Sequence, residues 1–175
     1  MEFLIFSDSH GRTEGMELAL KRQIKRPDGV FFLGDGVRDA ERLEVGNALL
    51  YDVTGNCDWF SCFCGEGNAP TERTLEMEGH RILMTHGHLF GVKGGLGGLL
   101  THAVEVGADI VLYGHTHLPH LEVLPAGSMV GNTAPERPLY LFNPGSIGQN
   151  VDGAGVSFGT LTLRGELVLF SHGRI

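Results

Sequence analysis

Seven side chains of the kinds that bind divalent metal ions occur in five short motifs along the chain. The motifs are Asp-x-His, Gly-Asp, Gly-Asn, a His before Gly, and Gly-His-x-His. Their ligand-type residues are Asp8, His10, Asp35, Asn56, His86, His115 and His117. Imidazole nitrogen suits Zn, Fe, Mn, Co or Ni, and a carboxylate can bridge two ions. The set therefore predicts a centre for one or two divalent metals.

Each motif directly follows a short run of residues that is typical of a buried strand, because the run is apolar and is bounded by turn residues. These predicted strands are Phe3–Phe6, Val30–Leu33, Leu49–Val53, Arg81–Met84 and Asp109–Tyr113. In open α/β sheets, ligands bind beyond the carboxyl ends of the strands. We therefore expect the five motifs to converge at one edge of the fold.

The remaining pattern indicates the fold class. Helices are predicted at about residues 14–25 and 99–106, and residues 74–84 predict a hairpin whose turn is 78–80. Four later apolar runs, at residues 121–124, 139–142, 158–163 and 166–170, predict antiparallel strands. Alternating strands and helices followed by successive strands favour an α/β protein with two sheets packed face to face and helices outside. A chain of 175 residues is expected to form a single domain, residues 1–175.

The order of the five motifs resembles that of the calcineurin-like metallophosphoesterase superfamily. More narrowly, the chain is similar to the small single-domain phosphodiesterases of this superfamily, the YfcE type. The Asn143-Pro144-Gly145-Ser146 turn also resembles a turn that is typical of this branch. The resemblance implies a four-layer αββα sandwich of two mixed β-sheets flanked by helices. It also implies a ligand scheme for two ions. Asp8, His10 and His117 would hold the first ion, Asp35 would bridge, and Asn56, His86 and His115 would hold the second.

The same resemblance implies a metal-dependent phosphoesterase, with phosphodiesterase activity as the leading expectation. A hydroxide generated between the two ions would attack phosphorus in line. Mn²⁺ is the first expected metal, with Ni²⁺, Zn²⁺, Fe²⁺, Co²⁺ and Mg²⁺ as alternatives, and the expected substrate is a small phosphodiester or nucleotide-like molecule. The alternative is a scaffold or binding protein of the same fold with weak or no catalysis, like the retromer subunit of eukaryotes. A metal-dependent amide hydrolase would leave the Gly-Asn and Gly-Asp motifs unexplained.

One position departs from the family pattern. Larger members carry a His after the Asn, where this chain has Cys57, and a thiol is a poor replacement as a proton donor. The enzyme should then favour substrates with good leaving groups or use His88 as a substitute acid, unless His88 is a supporting or surface residue. Arg12, two residues past His10, is a candidate for contact with a substrate phosphate, and a helix-start or surface ion-pair role is its alternative. Asn56, His88 and Arg12 are thus the candidate catalytic residues.

Several other side chains have simpler interpretations. Cys57, Cys62 and Cys64 are too few for a closed four-ligand zinc site and suit reduced thiols. Solvated side chains are expected for the three histidines outside the motifs at the hairpin turn, in the second helix and in the tail, which are His80, His102 and His172. Substrate specificity is expected to depend on the loops at residues 57–68 and 91–98.

Charge and hydropathy narrow the classes of partner. With 13 basic and 21 acidic residues the net charge is −8, which excludes a broad nucleic-acid surface. No stretch approaches the roughly 20 apolar residues of a membrane helix, and the first residues lack the features of a signal peptide. We therefore expect a cytoplasmic protein without a membrane partner, and self-association stays open. Two bound divalent ions would supply the positive charge that an anionic substrate needs.

Overall fold

The computed structural model describes residues 1–58 and 69–175, and in those ranges it contains ten strands and three α-helices. The strands are β1 (Glu2–Phe6), β2 (Gly29–Phe32), β3 (Leu49–Asp52), β4 (Glu72–Met77), β5 (His80–Thr85), β6 (Ile110–Leu112), β7 (Pro119–Leu124), β8 (Leu139–Pro144), β9 (Ser157–Arg164) and β10 (Leu167–Arg174). The helices are α1 (Glu14–Lys21), α2 (Val37–Glu41) and α3 (Gly97–Glu105), and a 3₁₀ turn spans His88–Phe90.

The strands form two mixed sheets of five. The first has the order β10-β9-β1-β2-β3 and the second the order β4-β5-β6-β8-β7. In the first sheet β1, β2 and β3 run parallel, and in the second β5, β6 and β8 run parallel, while the other pairs are antiparallel. Each sheet therefore brings the carboxyl ends of three parallel strands to one edge.

Alternation along the central strands explains why both sheets are covered on both faces. In β1, Phe3 and Ile5 pack between the sheets, whereas Leu4 and Phe6 pack outward with Met16 of α1. Successive strand side chains point to opposite faces, so a continuous apolar run needs a layer on each side. The residues buried between the sheets include Phe31, Leu33, Ile82, Met84, Ile110, Leu112 and Phe142.

The outer faces are covered by helices. On the first sheet, Ala19 of α1 and Ala40 of α2 join the outward cluster, and on the second, Leu99 and Ala103 of α3 pack against Val111. The layers therefore run helix, sheet, sheet, helix, which confirms the expected four-layer αββα arrangement. None of the helices in the described ranges has the length and apolar character needed to cross a membrane.

Some predicted elements were wrong in detail. Helix α1 ends at Lys21 instead of near residue 25, because Arg22 closes it with backbone bonds and Ile24 is fully exposed. Helix α2 was not predicted, since its five residues are too short for a helical apolar pattern. Strand β8 pairs in parallel with β6, so only its β7 side is antiparallel as predicted.

The prediction that three histidines outside the motifs have solvated side chains was also wrong. His80 is 2% exposed at the start of β5, with Nδ1 2.7 Å from Asp109 Oδ2 and Nε2 2.9 Å from the carbonyl of Gly165. His172 is half-buried, with Nε2 2.8 Å from the Asn143 carbonyl. His102 is also half-buried and contacts Glu72 Oε2 at 2.9 Å. These partners come from distant elements, which the local sequence pattern does not reveal.

Candidate metal centre

The predicted ligand residues lie in five loops at the carboxyl ends of parallel strands. Asp8 follows β1, Asp35 follows β2 and Asn56 follows β3, all in the first sheet. From the second sheet, His86 follows β5, and His115 with His117 follows β6. The two packed sheets therefore contribute their loops to one shared site, as the sequence predicted.

Six of these side chains form one cluster that is connected by close contacts. His117 Nε2 is 3.1 Å from Asp8 Oδ1 and 3.3 Å from His10 Nε2. His86 Nε2 is 3.4 Å from Asp35 Oδ2 and 3.9 Å from Asp8 Oδ1. Among the described residues, three groups offer ligand atoms within 4.8 Å of one another: Asp8, His10 and His117; Asp35, His86 and His115; and His10, Asp35 and Cys57.

Two of the atoms at this site are buried without a hydrogen-bond partner. Asp8 Oδ1 and His86 Nε2 both belong to fully buried side chains, and within the described part of the chain neither makes a hydrogen bond, although a polar ligand-type atom lies near each. Burying such atoms unsatisfied costs free energy that a bound cation would offset. The residues present therefore fit a divalent metal.

Supporting hydrogen bonds leave the metal-facing atoms free. The Nδ1 of His86 donates to the Leu33 carbonyl at 2.7 Å, which directs the Nε2 lone pair into the site. Asp8 Oδ2 accepts from Ser7 Oγ at 2.6 Å and from the His115 amide at 3.1 Å, so Oδ1 is left for the site. Asp35 Oδ1 accepts from the Cys57 amide at 2.7 Å, and Oδ2 points to His86.

The backbone at the site is held in an unusual conformation. Within the described ranges, six residues other than glycine have positive φ, and five of them are ligand-type residues of the site: Asp8, His10, Asp35, His115 and His117. The left-handed region is unfavourable for side chains with a Cβ, although Asp and His tolerate it better than most. Backbone strain of this kind clusters at functional sites, where the surrounding structure holds it in place.

Asp58 anchors two of the five loops. Its carboxylate accepts backbone N–H bonds from Asp35 and Gly36 at 2.8 Å, from Val37 at 3.1 Å and from Gly55 at 2.8 Å. The loops approach so closely that a Cβ on Gly55 would overlap the carboxylate and amide of Asp35. This role of Asp58 was not predicted from the sequence, where an Asp two residues after the Asn is the one signal for it.

The Asn143-Pro144-Gly145-Ser146 turn holds the loop of Asp8 from the other side. Ser146 Oγ donates to the Asp8 carbonyl at 2.8 Å, and the amide of Gly148 donates to the same carbonyl at 3.2 Å. Asn143 Nδ2 donates to the Gly114 carbonyl at 2.8 Å, beside His115. This turn therefore links the loops after β1 and β6.

Without metal, the charges of the site act on one another. Burial opposes ionisation of both Asp35 and His86, but the attraction between their charges across the 3.4 Å contact outweighs it: the pKa of Asp35 is held below its usual range, and the pKa of His86 is raised. Burial and the charges of His86 and Lys93 lower the pKa of His115 to about 4. The His115 ring is therefore neutral at physiological pH, as metal binding requires.

The candidate catalytic residues lie around this centre. The ring of His88 is 5.4 Å from that of His86, centroid to centroid, and its Nδ1 is buried without a partner among the described residues. Burial and the charge of His86 lower the pKa of His88. Arg12 is exposed, and its Nη1 donates to the Gly148 carbonyl at 2.7 Å. Asn56 is exposed, and its Nδ2 donates to Cys57 Sγ at 3.3 Å.

Cys57 is the described member of the three cysteines. Burial and the neighbouring carboxylates of Asp35 and Asp58 raise its pKa to about 11, so in the metal-free protein its thiol is protonated. Cys62 and Cys64 lie outside the described residues, as does most of the predicted specificity loop at residues 57–68.

Comparison with known proteins places the chain among phosphoesterases. Residues 1–166 match the family model for the calcineurin-like phosphoesterase superfamily domain. The protein named probable metallophosphoesterase YsnB, from Bacillus subtilis, is 35% identical over 84% of this chain and 75% of its own length. The phosphodiesterase YfcE of Escherichia coli is 29% identical over 92% of this chain and 87% of its own length.

A solved structure gives the same relationship at the level of the fold. A protein of Streptococcus pneumoniae, described as a predicted phosphoesterase, superimposes with a TM-score of 0.72. It is 26% identical, and the match covers 98% of this chain and 87% of that one.

Proposed function

The chain belongs to the calcineurin-like phosphoesterase superfamily, and from that premise we propose that it is a phosphodiesterase with two divalent metal ions. The observation that carries the proposal is the pair of buried, unpartnered ligand atoms, Asp8 Oδ1 and His86 Nε2, which lie 3.9 Å apart. Carboxylates and histidines surround both atoms. A structural role alone gives no reason to bury these atoms unsatisfied, whereas bound cations do.

Seven residues would hold the ions. Asp8, His10 and His117 would bind the first, Asn56, His86 and His115 the second, and the Asp35 carboxylate would bridge them. The ions would lower the pKa of a water toward neutrality to give the nucleophile and would clamp the phosphoryl oxygens during in-line attack. Mn²⁺ is our first choice of metal, and Ni²⁺, Zn²⁺, Fe²⁺, Co²⁺ and Mg²⁺ suit the same donors.

The chain's own residues would orient the substrate and transfer protons. Arg12, held at the Gly148 carbonyl, has further N–H groups that can bind a phosphate oxygen. His88 would give a proton to the leaving group. Because burial lowers its pKa, a protonated His88 is a strong donor but is scarce at neutral pH, which favours substrates whose leaving groups need little assistance. Small phosphodiesters or nucleotide-like molecules fit this description.

Metal-dependent turnover tests the proposal. Metal-free protein is titrated with Mn²⁺ and assayed with an activated aryl phosphodiester, beside Asp35→Asn. The wild type should gain activity with metal, and Asp35→Asn should lose about two orders of magnitude or more, because the bridging carboxylate is gone. Glu166→Gln is the matched control, since this 92% exposed carboxylate lies in the β9–β10 turn.

Two outcomes would contradict the proposal. One is turnover that does not depend on metal, and the other is equal activity in Asp35→Asn and the wild type. Metal binding without turnover on any phosphodiester would favour the alternative of a scaffold or binding protein with this fold.

A further inference from the structure

Cys57 stands where the sequence predicted only a weak replacement for a proton donor, yet its sulfur lies among the ligand atoms. Cys57 Sγ, a ring nitrogen of His10 and a carboxylate oxygen of Asp35 are all within 4.8 Å of one another. His10 and Asp35 are also the residues expected to hold the first ion and to bridge both. The thiol therefore lies next to the position expected for the first ion.

Hydrogen bonds hold the backbone that carries the thiol. The Cys57 amide donates to Asp35 Oδ1 at 2.7 Å, and the next residue, Asp58, accepts four backbone bonds from the loops around it. The side chain is exposed, so it can turn toward the site without displacing a packed neighbour. A ligand held by a rigid loop loses little conformational entropy on binding.

The surroundings of the sulfur also suit a ligand. Asn56 Nδ2 donates to Cys57 Sγ at 3.3 Å, so the sulfur already acts as an acceptor of a hydrogen bond. Asp8 Oδ1 is buried without a hydrogen-bond partner among the described residues and lies 3.8 Å from His10 Nε2. This second feature indicates a cation beside His10, and a ring nitrogen of His10 lies within 4.8 Å of the thiol sulfur.

We propose that Cys57 is a sulfur ligand of the first metal ion. The inference rests on the proposed function, because it needs the metal centre to exist. Binding breaks the S–H bond, releases the proton to solvent and forms a metal–sulfur bond, with no change of oxidation state. Thiolate is a soft ligand that favours Zn²⁺, Fe²⁺ and Co²⁺ over Mn²⁺ and Mg²⁺. The site should therefore bind these metals more tightly with the Cys57 sulfur than it would with oxygen and nitrogen ligands alone.

Cobalt substitution tests the sulfur bond directly. Metal-free protein is loaded with Co²⁺ and its absorption is recorded in the near ultraviolet, where a thiolate–cobalt charge-transfer band appears only if sulfur binds. We expect the band in the wild type and in the Cys62→Ser/Cys64→Ser double variant, and its loss when Cys57→Ser is added. A band of equal strength in Cys57→Ser would overturn the inference.

Competition between metals gives a second readout. Cys57→Ser should weaken Zn²⁺ binding by about tenfold or more and leave Mn²⁺ binding within about twofold, because only the soft ligand is removed. Equal effects on the two metals would contradict a sulfur ligand. If the wild type binds cobalt without the band, the inference fails and the proposed function stands. If the wild type binds no divalent metal, both fail.

Discussion

At the scale of single residues, the site combines strained backbone conformations with side chains of the types that bind metal ions. His117 has φ +62°, and its Nε2 lies 3.1 Å from Asp8 Oδ1. The conformation costs about 1–2 kcal/mol for a residue with a Cβ and nothing comparable for glycine. Metal binding is the reason we infer for retaining a costly residue at this position.

Replacing His117 separates the strain from the ligand role. In the presence of a metal chelator, the free energy of unfolding from urea denaturation should be about 1 kcal/mol higher for His117→Gly than for His117→Ala, since glycine accepts positive φ. Both variants should lose metal affinity. Exposed Leu118, which lacks positive φ, is the control, and there the alanine variant should be the more stable. The same order of stabilities at both positions would contradict the strain.

The histidine that faces both carboxylates makes metal binding depend on pH. Asp35 and Asp8 raise the pKa of His86 above its usual 6.5, and a metal must displace that proton. Metal affinity should therefore fall as the pH falls through and below that raised pKa, by up to about tenfold per pH unit for each displaced proton. Calorimetric titration at several pH values measures it, and a flat profile would contradict the arrangement.

His86 and Asp35 also determine how the stability of the metal-free protein depends on pH. His86, with a raised pKa, contributes stability at low pH that is lost as the pH rises through its folded-state pKa. Asp35, with a depressed pKa, contributes stability above its unfolded pKa of about 3.9 that is lost as the pH falls. Metal-free protein should therefore be most stable between these limits, and metal should shift the maximum to higher pH.

The role of His88 depends on the leaving group. If it protonates the leaving group, His88→Gln should slow phosphodiesters with poor leaving groups by about 10²-fold or more and activated aryl diesters far less. Steady-state kcat/KM for both substrate types measures the difference. Equal losses for the two would contradict an acid role and indicate a supporting one.

At the scale of elements, the positions of the ligand loops are fixed because a few buried groups hydrogen-bond to their backbones. Asp58 holds the loops after β2 and β3, and Ser146 holds the loop after β1. A carboxylate accepting several backbone N–H bonds is an effective anchor, since each bond to a charged group contributes about 1.5–3 kcal/mol.

Removing this anchor should disturb the centre without touching a ligand. Asp58→Asn places an amide among N–H donors and should lower the free energy of unfolding by about 2–4 kcal/mol and weaken metal binding. Asp39→Asn is the matched control. Two bonds to Asp39 are described, from Ser9 Oγ and the Gly11 amide, against four to Asp58, so its loss should be smaller. Equal destabilisation by the two variants would argue against Asp58 as the main anchor.

The elements also explain what the sequence could predict. Strands β1, β2, β5 and β6 were predictable because their side chains alternate between two apolar layers, and the polar residues at their ends include six clustered ligand residues. The end of α1 and the short α2 were not predictable, since local capping decides them. The burial of His80 depends on Asp109 and Gly165, far away in the chain, so no local pattern indicates it.

At the scale of the whole molecule, the metal centre and the polar contacts that join the two sheets lie at opposite ends of the strands. The centre lies at the carboxyl ends of the parallel strands, whereas His80 lies at the start of β5 and joins it to the β9–β10 turn of the other sheet. Arg137 adds a second link there, with contacts to Asp109 and Glu166. This polar cluster ties the two sheets together at the end remote from the ligands.

Breaking that link should reduce stability but not metal binding. His80→Ala leaves Asp109 and the Gly165 carbonyl without their buried partner and should cost about 2–4 kcal/mol of unfolding free energy. At a temperature where the variant stays folded, its metal affinity should match the wild type. Urea unfolding and metal titration together test the separation, and a parallel loss of both would contradict it.

The most direct test of the account is the number of metal ions that each chain binds. Metal-free wild type titrated with Mn²⁺ in a calorimeter should take up two ions per chain, and Asp35→Asn, without its bridging carboxylate, should bind both more weakly. Uptake of fewer than two ions by the wild type, or an identical isotherm for Asp35→Asn, would contradict a two-metal centre at the shared edge of the sheets.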